Sequence, residues 1–396
     1  MPTPDIRLST RLAGLVPTAV NAILAEVREV SSPEHPVISL MRGEPDFRTP
    51  AHIVEAASRA LANGRTSYPD NRGERGFRTA IVDRMASAGL GSFDPDTEVL
   101  VTTGATFGIY SALSVLIDPG DGVLVPDPVY DAYQSPIRLL GGVVQPVRAR
   151  VNQGRFELAA DAIEAAITPT TRALLLNTPW NPVGTVLRED ELRAIGEVVL
   201  RHKLVLISDE IYEAIVYDGH RHVSPVSLSP ELRARTILVN SLSKTYAMTG
   251  WRVGYCAAPA PLIKAMFLVL QQSSRGPATF IQDAAAAALS GDQQPVEAMR
   301  LEYAARRAAV STALAGLPRV QVREPEGGFF SMVDVSATGR SSNEVRRHLL
   351  TGHRVVVAHG SAYGPGGEGT LRVSFASGGD TLARGLERLR EGLAAL

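Results

Sequence analysis

The feature that most constrains this chain is a regular alternation of short apolar runs and helical stretches between about residues 97 and 258. Such runs, separated by amphipathic stretches of about ten or more residues, are typical of a parallel sheet covered by helices. The predicted strands are residues 98–101, 122–125, 142–147, 173–176, 204–208, 236–239 and 254–257. A doubly wound sheet binds ligands at the carboxyl ends of its strands, so the loops after these strands are the expected place for a site.

Helices are predicted where apolar residues recur at three and four positions, at residues 107–116, 190–201 and 262–271. From about residue 293 the pattern changes, and it predicts a long helix at 298–315, short strands near 328–333 and 370–375, and a closing helix. These elements indicate a smaller α+β domain, which an amphipathic helix at 16–30 is expected to join. The predicted division is 1–45 (amino-terminal arm and part of the small domain), 46–290 (large domain) and 291–396 (small carboxy-terminal domain).

Composition fits a globular enzyme and disfavours several other classes. Of the 396 residues, 45% are apolar and 20% charged, and the net charge is −1. Such a charge gives no attraction to nucleic acid or to an anionic membrane, and no apolar run approaches about twenty residues. The first residues lack a basic start followed by an apolar stretch, so we expect a cytoplasmic location. The single cysteine, Cys256, excludes an internal disulfide, and no metal site is predicted.

The most informative stretch is NSLSKTYAMTGWRVGY at 240–255, where Lys244 follows a predicted strand within a serine-rich turn. A lysine that forms an imine with an aldehyde must lose its proton, so it needs neighbours that lower its basicity. Ser241 and Arg252 are the residue types that hold a phosphate beside it. For a lone lysine, an exposed loop position with a salt-bridging arginine would be the simpler interpretation.

With seven further motifs, this stretch resembles the class I aminotransferases of the pyridoxal 5′-phosphate (PLP) fold type I, especially the bacterial aspartate and aromatic aminotransferases. The motifs, between about residues 38 and 375, are GEPDF, SYPDNRG, TTGAT, DPVYDAY, NTPWNPVG, SDEIY, SLSKTYAMTGWRVGY and LRVSF. The resemblance implies an α/β fold: a large PLP-binding domain with a mostly parallel, doubly wound sheet in three αβα layers, and a smaller α+β domain. It also implies a homodimer with sites at the subunit interface.

The resemblance assigns the catalytic chemistry to a few side chains. Lys244 corresponds to the Schiff-base lysine, which then moves the Cα proton of the substrate. Asp209 corresponds to the carboxylate that pairs with the pyridine nitrogen and makes the ring an electron sink. Asn181 and Tyr212 correspond to the groups that hydrogen-bond the ring's 3-hydroxyl oxygen. Taken singly, a strand-end aspartate is often a turn cap, and Asn-Pro is usually a turn.

The resemblance also implies a phosphate site at a helix start. Gly104, Ala105 and Thr106 would offer backbone N–H groups and the positive end of the helix dipole to the phosphate. Ser241 and Arg252 would complete this site.

Other contacts follow in the same way. Tyr130 resembles the aromatic residue that stacks on the pyridine ring, and Tyr68 resembles a tyrosine that reaches the phosphate of the neighbouring subunit. Arg372, in LRVSF, resembles the arginine that binds the substrate α-carboxylate by a bidentate pair. Gly43 and Asn181 are the further predicted substrate contacts.

The pocket for the substrate side chain departs from the aspartate-specific pattern. Thr106 and Leu270 align with basic residues that bind a second carboxylate in dicarboxylate-specific relatives, so aspartate is not assigned as the substrate. Arg275 is expected to bind an acidic or polar substrate side chain or to form a salt bridge between subunits. Candidates for an apolar pocket, with packing beneath the Asn181 turn as an equal alternative for the tryptophan, are Trp180, Tyr133, Phe329 and Phe330.

The predicted function is therefore a PLP-dependent aminotransferase that moves an amino group between an L-amino acid and a 2-oxo acid by a ping-pong mechanism. An alternative is a PLP-dependent lyase, decarboxylase or oxidase of a biosynthetic pathway on the same fold. A remote alternative is a non-catalytic, PLP-binding regulatory domain. Such domains follow a DNA-binding module, for which we expect no room before Gly43.

Overall fold

Strands and helices alternate along most of the chain. A computed structural model describes residues 6–12, 15 and 17–396. The strands in that part are β1 (Ile38–Ser39), β2 (Val99–Thr102), β3 (Gly122–Asp127), β4 (Val143–Arg148), β5 (Arg150–Asn152), β6 (Arg155–Glu157), β7 (Thr171–Asn177), β8 (Val205–Asp209), β9 (Thr236–Ser241), β10 (Gly254–Ala257), β11 (Gln321–Arg323), β12 (Phe330–Asp334), β13 (Val355–Val356), β14 (Ala358–His359) and β15 (Thr370–Ser374). The α-helices are α1 (Ala19–Val30), α2 (Ala51–Ala62), α3 (Arg75–Ser87), α4 (Ala105–Leu116), α5 (Gln134–Leu139), α6 (Ala160–Ala165), α7 (Glu189–Arg201), α8 (Pro230–Arg233), α9 (Leu242–Thr245), α10 (Ala260–Ser273), α11 (Thr279–Ser290), α12 (Gln294–Leu314), α13 (Ser342–His353) and α14 (Gly379–Ala394).

The largest sheet confirms the predicted doubly wound arrangement. Its strands lie in the order β2-β10-β9-β8-β7-β3-β4, and β10 runs antiparallel to both of its neighbours while the other pairs are parallel. All seven predicted strands are present, with ends that differ by a few residues. Strand β2, for example, is buried at all four positions, as expected for a sheet covered on both faces.

Helices form a layer on each face of this sheet. Side chains alternate along β2: Leu100 belongs to the core that includes residues of α4, α5 and α10, while Val99 and Val101 belong to the core that includes residues of α2, α3 and α11. Helices α6 and α7 extend the second layer beside β7 and β8. The predicted three-layer αβα arrangement is confirmed. Within the described ranges, no helix combines the length and the apolar character needed to cross a membrane.

A second, antiparallel sheet has the strand order β11-β12-β15-β14. It packs against α12, α13 and α14 through a core that contains Val310, Leu349 and Leu386. This is the predicted α+β part, and its long helix begins four residues before the predicted start at 298.

The amino-terminal segment lies beside this smaller sheet. Strand β1 pairs in parallel with β13, and Glu26 on α1 forms a 2.7 Å ion pair with the buried Arg346 on α13. Helix α1 begins at Ala19, and position 16, where its start was predicted, lies outside the described residues. The domain boundaries at 45 and 290 stay a prediction.

Six strands of the large sheet run in the same direction, and five of them lead into segments that carry predicted site residues. Strands β3, β7, β8 and β9 are parallel, and β2 shares their direction because both β2 and β9 are antiparallel to β10. The segments that follow these five strands therefore meet at one edge of the sheet. They carry the predicted residues Gly104, Tyr130, Asn181, Tyr212 and Lys244.

Candidate active site

A cavity of about 640 Å³ lies at this edge and extends to β15 of the smaller sheet. It brings most of the predicted site residues together, although they are separated by up to 329 positions in sequence. Those that line it are Gly43, Ala105, Thr106, Tyr130, Asn181, Asp209, Tyr212, Ser241, Lys244, Arg252 and Arg372.

Lys244 lies on the single turn of α9, directly after β9. Ser241 caps this turn, because its Oγ accepts a hydrogen bond from the Ser243 backbone N–H at 3.1 Å. Lys244 Nζ donates to the carbonyl oxygen of Gly43 at 2.5 Å. Burial lowers the pKa of Lys244 to about 8, although the negative charges of Glu44 and Asp209 oppose that shift. The amine therefore has a larger neutral, nucleophilic fraction near neutral pH than an ordinary lysine.

Asp209 is the last residue of β8 and is almost fully buried. Its Oδ2 accepts a hydrogen bond from the Tyr133 hydroxyl at 2.5 Å, and its Oδ1 accepts one from the Ile211 backbone N–H at 3.2 Å. Burial raises the pKa of Asp209 to about 6, and these two donors oppose the shift. A buried carboxylate that is ionised near neutral pH and faces a cavity is suited to bind a cationic group of a ligand.

The predicted phosphate site has the shape of a cradle formed by backbone. Gly104 precedes α4 with φ of 89°, and a Cβ there would lie 2.8 Å from Arg252 Nη2. A Cβ at Gly254 would lie 2.7 Å from the Asn240 carbonyl oxygen, next to the start of α4. Arg252 itself has left-handed backbone dihedrals (φ 53°), a conformation that costs free energy for a non-glycine residue. A phosphate group fits this set of donors, which consists of backbone N–H groups at a helix N-terminus flanked by glycines, the Ser241 hydroxyl and the Arg252 guanidinium.

Arg372 lies on β15, between Met332 of β12 and Ala358 of β14. It is almost fully buried, and it donates to Asn181 Oδ1 and to the Met41 carbonyl oxygen, both at 3.2 Å. Its Nε is buried and has no hydrogen-bond partner among the described residues. Part of the guanidinium's donor capacity is therefore unused, which suits recognition of a carboxylate.

Two tyrosines are predicted to contact the cofactor: Tyr212 by a hydrogen bond to the 3-hydroxyl oxygen, and Tyr130 by stacking on the ring. Tyr212 packs edge-on to Phe329, with ring centres 5.4 Å apart, and burial raises its pKa well above the ordinary value. Tyr130 stands edge-on to Tyr133 at 5.3 Å. Both tyrosines also line the cavity, so packing fixes their rings at the site.

Sequence reasoning missed several residues of the cavity. Asn177 ends β7 and joins two site segments, since its Nδ2 donates to the Asp209 carbonyl oxygen at 3.0 Å and its Oδ1 accepts from the Asn181 N–H at 2.8 Å. The position of Asn177 at a strand end was the available signal. The cavity also contains charged groups that no motif role covered, namely Arg42, Glu44 and Asp131.

The structure decides among several open alternatives. The indole N–H of Trp180 donates to the Pro128 carbonyl oxygen at 3.0 Å, and Trp180 does not line the cavity, so the packing interpretation is correct. Phe329 and Leu270 are also core residues, whereas Phe330 lines the cavity. Tyr133 reaches the cavity but binds Asp209 instead of forming an apolar pocket.

Tyr68 lies outside the cavity of its own chain. Its side chain is 86% exposed, and the guanidinium of Arg275 lies 5.9 Å from its ring centre. The predicted roles of Tyr68 and Arg275 toward a second subunit therefore stay predictions.

Comparison with known proteins agrees with the fold and the cavity. The sequence matches the family described as aminotransferase class I and II over residues 35–389. It is 37% identical to an aspartate aminotransferase of Geobacillus stearothermophilus, over 97% of this chain and 98% of that protein. It is 40% identical to an arginine–pyruvate transaminase of Pseudomonas aeruginosa, over 89% of each chain. The solved aspartate aminotransferase from Rhizobium meliloti has a TM-score of 0.93 and 34% identity, covering 98% of this chain and 99% of that one.

The fold and the comparisons thus define an enzyme that transfers amino groups. The chain belongs to the class I and II aminotransferases, a family that uses PLP. The resemblance seen in the sequence motifs is confirmed.

Proposed function

We propose that this aminotransferase holds PLP covalently on Lys244 and moves an amino group between an L-amino acid and a 2-oxo acid by a ping-pong mechanism. One observation carries the proposal. A lysine with a lowered pKa, a buried strand-end carboxylate and a buried arginine with an unpartnered Nε among the described residues all face one cavity. When bound, PLP supplies an electron sink for the substrate Cα.

Each polar side chain has a distinct task in this proposal. Lys244 would hold the cofactor, and its free amine would carry the proton to and from the substrate Cα. A pKa of about 8 suits both tasks, because the amine must lose and regain a proton near neutral pH. Asp209 would keep the proton on the pyridine nitrogen. Tyr212 and Asn181 would bind the 3-hydroxyl oxygen of the ring.

The cradle around α4 would hold the phosphate. Ala105 and Thr106 offer backbone N–H groups at the helix start, and Ser241 and Arg252 add a hydroxyl and a guanidinium. Tyr130 would stack on the ring.

Arg372 would bind the substrate α-carboxylate, with Gly43 and Asn181 beside it. Arg372 lies on a strand of the smaller sheet, whereas Lys244 and the phosphate cradle lie at the end of the large sheet. A substrate bound to both would favour closure of the two parts around it.

The proposal includes a homodimer in which Tyr68 reaches the phosphate of the partner subunit. Its support is the 86% exposure of a large aromatic side chain in a chain whose other aromatic residues are mostly buried. A cytoplasmic location stays a prediction from the sequence.

The half-reaction spectrum tests the proposal. Purified protein loaded with PLP should show a near-ultraviolet or visible band that an amino donor bleaches, with one equivalent of 2-oxo acid released. Lys244→Ala should lose covalent attachment and activity, whereas Lys264→Ala, at an exposed position on α10, should behave as wild type. Full activity of Lys244→Ala would overturn the proposal.

A donor screen would define the substrate. The relatives named above act on aspartate and on arginine, so the screen should include acidic, basic and aromatic amino acids. Release of ammonia or CO₂ without a new amino acid would instead indicate the lyase or decarboxylase alternative.

A further inference from the structure

Tyr133 connects two segments of the site that are distant in sequence. It ends the 3-10 helix Asp131–Tyr133 after β3, whereas Asp209 ends β8. Strand β7 lies between β3 and β8 in the sheet, so the tyrosine side chain reaches across the end of β7. Its ring is almost fully buried in the core that contains Val129 and Ile137. Packing therefore fixes the position of its hydroxyl.

The hydroxyl of Tyr133 acts as a donor. It lies 2.5 Å from Asp209 Oδ2, and burial together with the charge of Asp209 raises the pKa of Tyr133 well above the ordinary value. The phenol therefore keeps its proton over the working pH range and donates a hydrogen bond to the carboxylate. A hydrogen bond donated to a carboxylate stabilises the charged form.

Among the groups that face Asp209, Tyr133 opposes the effect of burial most strongly. Burial raises the pKa of Asp209 to about 6; the Tyr133 bond and the Ile211 N–H lower it, as does the charge of Lys244, while the charge of Glu210 raises it. Other titratable groups that sense the charge of Asp209 are Tyr130, Tyr212 and Cys256. Loss of the hydroxyl would leave a carboxyl that takes up a proton at a higher pH.

We infer that Tyr133 is a positioning residue, which holds Asp209 in the orientation and charge state that bind the pyridine nitrogen of PLP. The inference rests on the proposed function. Core packing alone would require the ring but not the hydroxyl, so Tyr133→Phe separates the two interpretations.

The test measures binding of pyridoxamine 5′-phosphate to apoprotein, since this probe has no aldehyde and cannot attach to Lys244. Its Kd is determined by fluorescence titration from pH 5 to pH 9 for wild type and Tyr133→Phe. A bond to a charged group is equivalent to about one pKa unit or more, so the variant should bind about tenfold more weakly at pH 5. The difference should shrink toward pH 9, where Asp209 is ionised in both proteins and only the effect on its orientation remains. The probe's own ionisations are the same for both proteins and cancel in the ratio.

A matched control removes a different buried hydroxyl. Tyr217 donates to the Gly328 carbonyl oxygen at 2.6 Å, and Tyr217→Phe should bind the probe as wild type does at every pH. A double-mutant cycle adds a second check. In an Asp209→Asn background, Tyr133→Phe should no longer change the pH dependence of Kd.

The outcomes separate the two proposals. If wild type does not bind the probe, the proposed function is wrong. Two results would show that the positioning role is wrong while the proposed function stands. In the first, wild type binds but the Kd ratio of Tyr133→Phe to wild type is constant with pH. In the second, Tyr133→Phe changes the pH dependence of Kd as much in the Asp209→Asn background as it does in wild type.

Discussion

Asp209 is the last residue of β8 and Glu210 follows it directly, yet the two acids have opposite environments. Asp209 faces the cavity and accepts one hydrogen bond on each oxygen, from Tyr133 and from the Ile211 backbone. Glu210 is fully buried and does not line the cavity. Successive side chains of an extended strand point to opposite faces, so two adjacent acids are separated by the sheet.

Glu210 is satisfied by protein groups alone. Its Oε1 accepts from Ser208 Oγ at 2.8 Å and from Ser224 Oγ at 2.7 Å, and its Oε2 lies 2.8 Å from His222 Nε2. A buried carboxylate with such a complete set of partners stabilises the fold. Asp209 keeps acceptor capacity directed at an open cavity. The open acceptor capacity, and not the residue type, therefore makes Asp209, and not Glu210, the candidate functional acid.

The largest difference between the two acids should appear when each is neutralised in turn. Asp209→Asn should lower kcat by about a hundredfold or more, because it removes a preorganised charge at the reacting centre. Glu210→Gln makes the same change one residue away and should leave kcat of the folded enzyme within about threefold of wild type. Steady-state kinetics at saturating PLP measures both. Equal losses in the two variants would contradict the assignment of roles.

A second prediction concerns the pH dependence of apoprotein stability. The pKa of Asp209 is about 6 in the folded chain, against an ordinary value of 3.8, so the folded state retains a proton that the unfolded state loses. As pH rises between those two values, the free energy of unfolding of wild type should fall by about 3 kcal/mol relative to that of Asp209→Asn. Urea unfolding at pH 4, 5, 6 and 7 measures the difference. A pH-independent difference would show that the carboxyl titrates normally.

The smallest expected effect concerns the stability of Glu210→Gln. The amide cannot accept on both ends, so at least one hydroxyl or imidazole N–H loses its partner, and the free energy of unfolding should fall by about 2 kcal/mol. Asp209→Asn at pH 7 should not show such a loss. An unchanged unfolding midpoint for Glu210→Gln would mean that the buried network adds nothing to stability.

The sequence predicts the large sheet well because its strands are apolar runs buried on both faces. Strand ends are less predictable: β7 runs from Thr171 to Asn177, beyond the predicted 173–176, because pairing with β3 and β8 determines its length. Strand-end polar residues such as Asp209 were predictable for the same topological reason.

The contacts between those residues were not predictable. Tyr133 and Asp209 are 76 positions apart, and Arg372 and Asn181 are 191 apart. Both pairs depend on strand order and on how the smaller sheet lies over the large one. In the sequence alone, Tyr133 is one aromatic residue among several.

Borohydride reduction of PLP-loaded enzyme, followed by peptide mass analysis, would show directly whether Lys244 holds the cofactor. The chain has three lysines, Lys203, Lys244 and Lys264, so each possible attachment site gives a distinguishable peptide. We predict a pyridoxyl adduct on Lys244 alone, at close to one per chain. An adduct on either of the other two lysines, or none on Lys244, would contradict the account.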